Sequence, residues 1–269
     1  MDKIVQIELE NLHYKLNIPK KKQPGAKKPK KTKPPKIPGQ NLVENKDPDF
    51  IAKELVEHHI LRKEPPVKFE DFLTTENPLR EIQESQATRQ PDPSLSQLKN
   101  AIIEHVAIPL GTGINIEGSN RTFLFYGPSG TGKSMLVNAV VSETNSIFLD
   151  ISPYNLANVF TSKPEMQKIM YKVFRVAREF QPSVIFFDEA EHFMGKKNLK
   201  KLKHFAGKCS KFKKELTNQI NKHLRPEDKV VVIGCTSSPQ YVNANDAKKF
   251  FYKKFYFPFP GYSARRILL

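Results

Sequence analysis

The chain has 269 residues, with 44 Lys+Arg against 28 Asp+Glu, a net charge of +16 and 38% hydrophobic residues. Two cysteines, Cys209 and Cys235, cannot build a disulfide framework, and no apolar run reaches the ~18 residues of a membrane span. The N-terminal MDKIVQIELENLHYKL lacks the apolar core of a secretion signal, so the expectation is a cytoplasmic chain with reduced thiols and no membrane partner.

The positive charge is local. Residues 15–36 hold ten Lys and no acid, and residues 192–214 hold nine Lys and no acid. The rest of the chain then has 25 cations against 28 acids, a near-neutral body carrying two basic segments. Residues 1–18 read as a short amphipathic segment with Ile4, Ile7, Leu12 and Leu16 loosely on one face. Residues 19–47 are a Lys/Pro-rich linker, expected to be extended and disordered because Pro removes donors and Lys repels Lys. Residues 48–94 read as a short helical segment and a connector. A helix over 50–61 can be capped by Asp47 or Asp49 and stopped by Pro65–Pro66; FEDFL at 69–73 is a second short piece, and 83–94 is a polar connector.

Residues 95–269 change character. Short β-type runs at Thr122–Tyr126, Ser146–Ile151, Ser183–Phe187, Lys229–Cys235 and Phe255–Phe257 alternate with helical stretches near 133–143, 165–180 and 199–224. That alternation predicts an α/β domain with a parallel sheet.

The strongest chemical signal is GPSGTGKS, residues 127–134, which fits G-x-x-x-x-G-K-[ST] between a strand and a helix. Gly127, Gly130 and Gly132 let the backbone curl so that its N–H groups, with those of Pro128–Met135 that carry one, face a phosphate. Ser129 and Thr131 lie within this loop, and Met135 follows it. Lys133 is placed for the β- and γ-phosphates and Ser134 for Mg²⁺. A chance Gly-rich turn is the competing reading, and the register of strand, motif and helix weighs against it. The second signal is VIFFDEAE, residues 184–191, an apolar strand ending in two carboxylates. Asp188 is expected to hold the metal and Glu189 to act as general base on the attacking water. The third is VVVIGCTSSP, residues 230–239, a strand ending in Thr236, Ser237 and Ser238, polar groups that either face the γ-phosphate, Ser237 foremost, or serve as simple helix or turn caps.

These pieces, in this order, resemble the AAA class of ATPases. GPSGTGKS is similar to the family's GPPGTGK[ST], QPSVIFFDEAE to KPSIIFIDE, EDKVVVIGCTSSP to its strand leading to GATNRP, and KKFYFPFPGYSAR to KRIYIPLP. The resemblance covers roughly 95–269. It implies ATP and Mg²⁺ as ligands and a five-stranded parallel sheet of order 5-1-4-3-2 flanked by helices. Within the class, VFRVAREFQPS and RPEDKVVVIGCTSSP resemble the IQ and AAA domain-containing proteins, a branch that includes the AAA subunit of the nexin–dynein regulatory complex of motile cilia. That branch implies an axonemal location in a cilium or flagellum. It also implies an IQ motif upstream of this chain, which itself carries no calmodulin-type motif, and a helical lid after Leu269.

Departures from the family pattern bear on hydrolysis. Ser237 stands where the family's first sensor is Asn; Lys248, Lys249 and Phe250 stand in the arginine-finger region; and NVFTSKP at 158–164 keeps Phe160 but lacks the pore-loop Gly. Lys lacks the planar fork of Arg, so hydrolysis is expected to be weak. The expected function is therefore an ATP-binding structural or regulatory subunit of an axonemal complex. The alternative is an active oligomeric ATPase that remodels proteins or microtubules. The tract 15–36 has no interleaved aromatics, which disfavours nucleic acid as partner and leaves an acidic protein surface such as tubulin or axonemal subunits, a nuclear-localisation signal, or a solvated linker. In the second tract Leu202, Phe205, Cys209, Phe212 and Leu216 form one apolar helix face with Lys around it.

Overall fold

Three strands carry the domain's core, and each is buried on both sides: β2 (Thr122–Tyr126) up to its last residue, β4 (Ser183–Phe187) and β5 (Val230–Thr236) throughout. Successive side chains feed two different clusters. Phe123, Phe125, Val184, Phe186, Val231, Ile233 and Cys235 point to one face of the sheet. Leu124, Ile185, Phe187, Val230 and Val232 point to the other. Near-continuous apolar runs of this kind belong to parallel sheets covered by helices on both faces. Phe125 is fully buried and meets Phe255 edge-on at 5.7 Å between centroids. Burial of one such ring contributes about 1.5–3 kcal/mol.

This computed structural model describes residues 39, 43, 47–74, 93–113, 121–157, 163–195, 203–225 and 227–268. The expectations for residues 1–18, for the linker up to residue 38, for Phe160 and for most of the connector at 83–94 fall outside them. With β1 (Leu61–Arg62), β3 (Ile147–Asp150) and β6 (Lys253–Tyr256), the sheet runs β1-β3-β4-β5-β2-β6. The five longer strands are all parallel, and counted in chain order they lie 5-1-4-3-2, as the family resemblance implies. The sheet has one strand more than expected: β1 adds antiparallel to β3, pairing Leu61 with Leu149 and Arg62 with Phe148.

That extra strand comes from the N-terminal segment. Helix α1 (Pro48–Glu57) buries Ile51 and Leu55. It stops eight residues before Pro65 because the chain reverses at His59, which has φ +57°. The expected helix end at Pro65–Pro66 is thus corrected: Ile60 and Leu61 belong to the sheet edge, with the Ile60 carbonyl accepting the Asp150 N–H at 2.7 Å. Asp47 sits at the N-cap but its side chain makes no capping bond. Beyond β1 the chain continues as a strap along the next helices. The Val67 N–H donates to Ser142 Oγ at 3.1 Å, and a single 3₁₀ turn at Phe69–Asp71 leads to the buried Phe72.

Helix α2 (Leu95–Ile102), a π-turn at Ile103–Ala107, α3 (Ile108–Thr112) and α4 (Lys133–Glu143) pack on the face that holds Phe125. After β3 come α5 (Pro153–Ala157) and α6 (Lys163–Glu179); after β4, α7 (Ala190–Met194) and α8 (Lys203–His223). Helices α6 and α8 join α1 on the opposite face, where the buried Lys172 of α6 pairs with Glu54 of α1. Phe212 and Leu216 of α8 are buried, as its apolar spacing predicts, while Leu202 and the side chains of Phe205 and Cys209 fall outside the described residues. Helix α9 (Ala244–Phe250) precedes β6, which begins two residues before the expected Phe255, and α10 (Tyr262–Leu268) follows. No helix among the described residues is long and apolar enough to cross a membrane.

His223, at the end of α8, is 5% exposed and meets the Tyr171 ring at 5.1 Å between centroids. Burial, reinforced by the positive charge of Arg178, lowers its pKa to about 4; Asp228 pulls the other way, and Arg175 adds to the lowering. The neutral imidazole is therefore the form the fold accepts. Its contribution is complete above the unfolded value near 6.5 and is lost as pH falls toward 4, because there the unfolded chain binds the extra proton. Urea unfolding of a His223→Leu variant should lose about 3 kcal/mol less stability than the parent between pH 6.5 and 4. Parallel pH profiles would refute this assignment.

Candidate functional site

Parallel register brings the carboxyl ends of the central strands to one edge. Tyr126 lies opposite both Thr236 and Tyr256, and Phe187 lies opposite Gly234. The residues that follow, Gly127, Asp188 and Ser237, therefore leave the same edge of the sheet. The Gly127 N–H donates to the Thr236 carbonyl at 3.2 Å. Gly127 has no room for a side chain, since a Cβ there would lie 2.3 Å from the Phe257 carbonyl oxygen. The loop then turns through two left-handed residues. Gly130, at φ +78°, has nothing within 4 Å of where a Cβ would stand; Gly132, at φ +84°, would place one 2.7 Å from the Phe72 ring. The Thr131 hydroxyl donates to the Pro128 carbonyl at 2.9 Å, closing the curl. Gly132 is the N-cap of α4, so the first-turn amides of that helix open toward the loop's concave side.

Lys133 is 7% exposed, and its ammonium donates to the carbonyls of Gly127 at 2.9 Å and Pro128 at 2.6 Å. Burial lowers its pKa, while Cys235, Asp188 and Glu191 favour the charged form. Two of its three protons are thus occupied, and the third remains for an anion. Cys235, behind the lysine, is fully buried, and that burial raises its thiol pKa well above the usual value.

Of the predicted binding residues, Ser129, Gly130, Gly132, Lys133, Ser134 and Met135 line one hollow of about 380 Å³ from the loop side. Asp188 and Ser237 line it from the ends of β4 and β5. Gly127, Pro128 and Thr131 form the loop's inner frame through the bonds just described. Like these three, Glu189 does not line this hollow. It takes part in an adjoining one of about 420 Å³, which shares Ser134 and Asp188 with the first. Its backbone is left-handed (φ +51°), its N–H donates to Asp188 Oδ1 at 2.8 Å, and its carboxylate meets His192 Nε2 at 3.2 Å. Ser237 is exposed in the site, whereas Thr236 is the capping residue: its hydroxyl donates to Glu191 at 2.5 Å and accepts the Ser238 N–H at 3.1 Å. Burial raises the pKa of Glu191, and the bond from Thr236 opposes that rise.

Residues absent from the sequence reading also enter the site. Asp150, at the end of β3, is buried and ion-paired with Arg62 at 2.8 Å; Arg62 in turn binds Glu64 at 2.6 Å. Ser152 bridges Asp150 and the backbone of Asp188. Asp150 had a usable signal, a carboxylate closing an apolar strand in the same manner as Asp188. Arg62 had none, lying in a charged stretch with no strand pattern.

A cationic ammonium, a hydroxyl and a carboxylate around a loop of inward N–H groups are a donor set that suits a nucleotide phosphate with a bound divalent cation. Among the described residues no cluster of three or more His, Cys, Asp or Glu side chains could hold a metal unaided.

Comparison with known proteins agrees with this geometry. Residues 123–259, half of the chain, match the ATPase family associated with various cellular activities (AAA). The chain belongs to that family, whose domain is a nucleotide-binding one. It is 27% identical over 289 residues to dynein regulatory complex protein 11 of Mus musculus, covering 98% of this chain and 33% of that protein. It is 30% identical over 247 residues to spastin of Ixodes scapularis, covering 88% of this chain and 34% of that protein. The chain thus spans about a third of the length of these curated relatives. Among solved structures, the FIGL-1 AAA domain superposes with a TM-score of 0.59 at 23% identity, covering 84% of this chain and 66% of that one. A katanin structure described in terms of self-assembly gives 0.53 at 22%, covering 81% and 63%. These two likenesses establish the fold.

The loop's two kinds of glycine should respond differently to a methyl group. Gly130→Ala meets open space and costs only the left-handed backbone, about 1–2 kcal/mol. Gly127→Ala must push the Phe257 backbone aside, so its urea midpoint should fall further. Equal midpoints would contradict the close approach of β6 to the loop.

Proposed function

We propose that this chain binds Mg-ATP in the hollow between the glycine loop and the ends of β4 and β5. It would act mainly as a structural or regulatory subunit of an axonemal complex in a cilium or flagellum. The observation that carries the nucleotide reading is the convergence of Lys133, Ser134 and Asp188 on one cavity of about 380 Å³. In this reading the backbone N–H groups of Ser129–Met135 and the ammonium of Lys133 hold the phosphates. Ser134 and Asp188 hold the cation, and Ser237 faces the terminal phosphate. Such a cation would supply charge neutralisation to the phosphates. In the same reading Glu189, next to Asp188, would take the proton from the attacking water.

Three features support weak hydrolysis. The Glu189 carboxylate is engaged by His192 at 3.2 Å. Ser237 is a shorter hydroxyl where the family pattern has an amide. Lys248 and Lys249 are point charges without the fork that stabilises a transferring phosphoryl group. The axonemal setting is supported by the similarity to a protein named for the dynein regulatory complex. Exposed Lys248, Lys249 and Lys254, together with the Lys-rich tracts, support an acidic protein surface such as tubulin as partner.

An active remodelling ATPase is the second reading. It is favoured by the placement of Glu189 in the cleft shared with Ser134 and Asp188, and by the similarity to spastins. Titration of the full 269-residue chain with a fluorescent ATP analogue separates the steps. Lys133→Ala should weaken binding at least tenfold, and unchanged binding would overturn the nucleotide assignment. Glu189→Gln should bind as the parent does, and parental turnover should be barely above that of the variant. Turnover that rises with protein concentration and vanishes in Glu189→Gln would replace the structural reading with the second one.

A further inference from the structure

The geometry points to Ser152 and Arg62 as positioning residues for Asp188, linking the N-terminal strap to the metal end of the site; this inference rests on the nucleotide reading above. The β4–β5 ladder ends at Phe187 opposite Gly234, so the Asp188 N–H lies just beyond the sheet. Its partner is the Ser152 hydroxyl, at 3.0 Å. That hydroxyl can accept from Asp188 because its own proton is committed to Asp150 Oδ1, which also accepts the Ser152 N–H at 2.9 Å. The second Asp150 oxygen, Oδ2, is held by the Arg62 guanidinium at 2.8 Å.

Arg62 is itself fixed from three sides. β1 pairs its backbone with Phe148, its guanidinium carbon sits 5.5 Å from the Phe148 ring centre, and its Nε meets Glu64 at 2.6 Å. Glu64 then accepts from Asn138 of α4, the helix that carries Lys133 and Ser134. A chain of polar contacts therefore runs from the strap through two buried groups, Asp150 and Ser152, to the backbone of Asp188. The chain holds the main chain of Asp188 and leaves its side chain directed to the site. Within an environment as dry as that of Asp150, 5% exposed on its side chain, such charge-assisted bonds are shorter and stronger than at a surface.

A purely structural role for Arg62 and Ser152 would change stability alone. A positioning role changes Asp188 specifically, and two readouts on the full chain test it. The first is amide hydrogen exchange without nucleotide. Exchange at Asp188 should speed at least tenfold in Ser152→Ala and in Arg62→Gln, with the β4 amides protected as before. The second is the Mg²⁺ midpoint for binding the fluorescent ATP analogue. It should rise about tenfold, while affinity for the metal-free nucleotide stays within twofold. Ser152→Thr and Arg62→Lys, which keep the hydroxyl and the charge, should restore most of both signals, and Thr217→Ala on α8 should change neither. Should Ser152→Ala fail to fold, Arg62→Gln decides, since that side chain is 45% exposed.

Parental exchange at Asp188 in Arg62→Gln and in any folded Ser152→Ala would overturn the inference. So would a Mg²⁺ midpoint that does not move while Asp188 exchange speeds. Absence of nucleotide binding by the parent would instead refute the functional reading, and the exchange measurement would still decide whether Ser152 and Arg62 hold Asp188.

Discussion

Every part of the site depends on the parallel register of β2, β4 and β5. Because the strands point the same way and end within two residues of each other, three separate sequence segments deliver a glycine loop, a carboxylate and a serine to one edge. Side-chain alternation into two apolar cores holds the register. A slip of one residue would exchange Phe123 and Phe125 with Leu124, and Val184 and Phe186 with Ile185 and Phe187, between faces packed to different volumes. Phe257 and the loop are in van der Waals contact at Gly127, so β6 extends the same constraint to the loop.

Around this rigid edge the N-terminal strap adds a second layer. It closes the sheet at β3, binds α4 through Ser142 and Asn138, and brings Phe72 against Gly132 of the loop. The candidate site is therefore bounded by two parts of the chain with different attachment strengths. The sheet edge is part of a double core, while the strap is held by a two-residue strand, a handful of polar contacts and the buried ring of Phe72. Segments of low local stability are where conformational input enters a protein most easily.

Much of this was legible beforehand. GPSGTGKS and VIFFDEAE carry their context with them, strand then loop then helix, and the apolar runs at 122–126 and 183–187 correspond to strands with the same limits. Local composition does not encode what depends on distant partners. β1 is a Leu-Arg pair with no apolar run, made a strand only by the waiting edge of β3. The left-handed turn at His59 gives no compositional signal, so α1 ends earlier than its apolar spacing predicts. Asp150 and Arg62 lie far apart in sequence and become a pair through that same edge strand. Thr236 shows the converse: the motif suggested a ligand group, and a buried carboxylate on α7 claimed its hydroxyl instead.

The two outer strands have a consequence for the protein's behaviour in a crowded solution. A sheet with free edges invites another chain to continue its hydrogen-bonded ladder. Here one edge ends in a strand two residues long, too short to template a partner, with a charged arginine in it. The other edge, β6, begins with Lys253 and Lys254, whose repulsion disfavours stacking of like strands. The arginine that reaches into the site and the lysines that close the far edge thus also protect the central apolar strands from edge-to-edge aggregation.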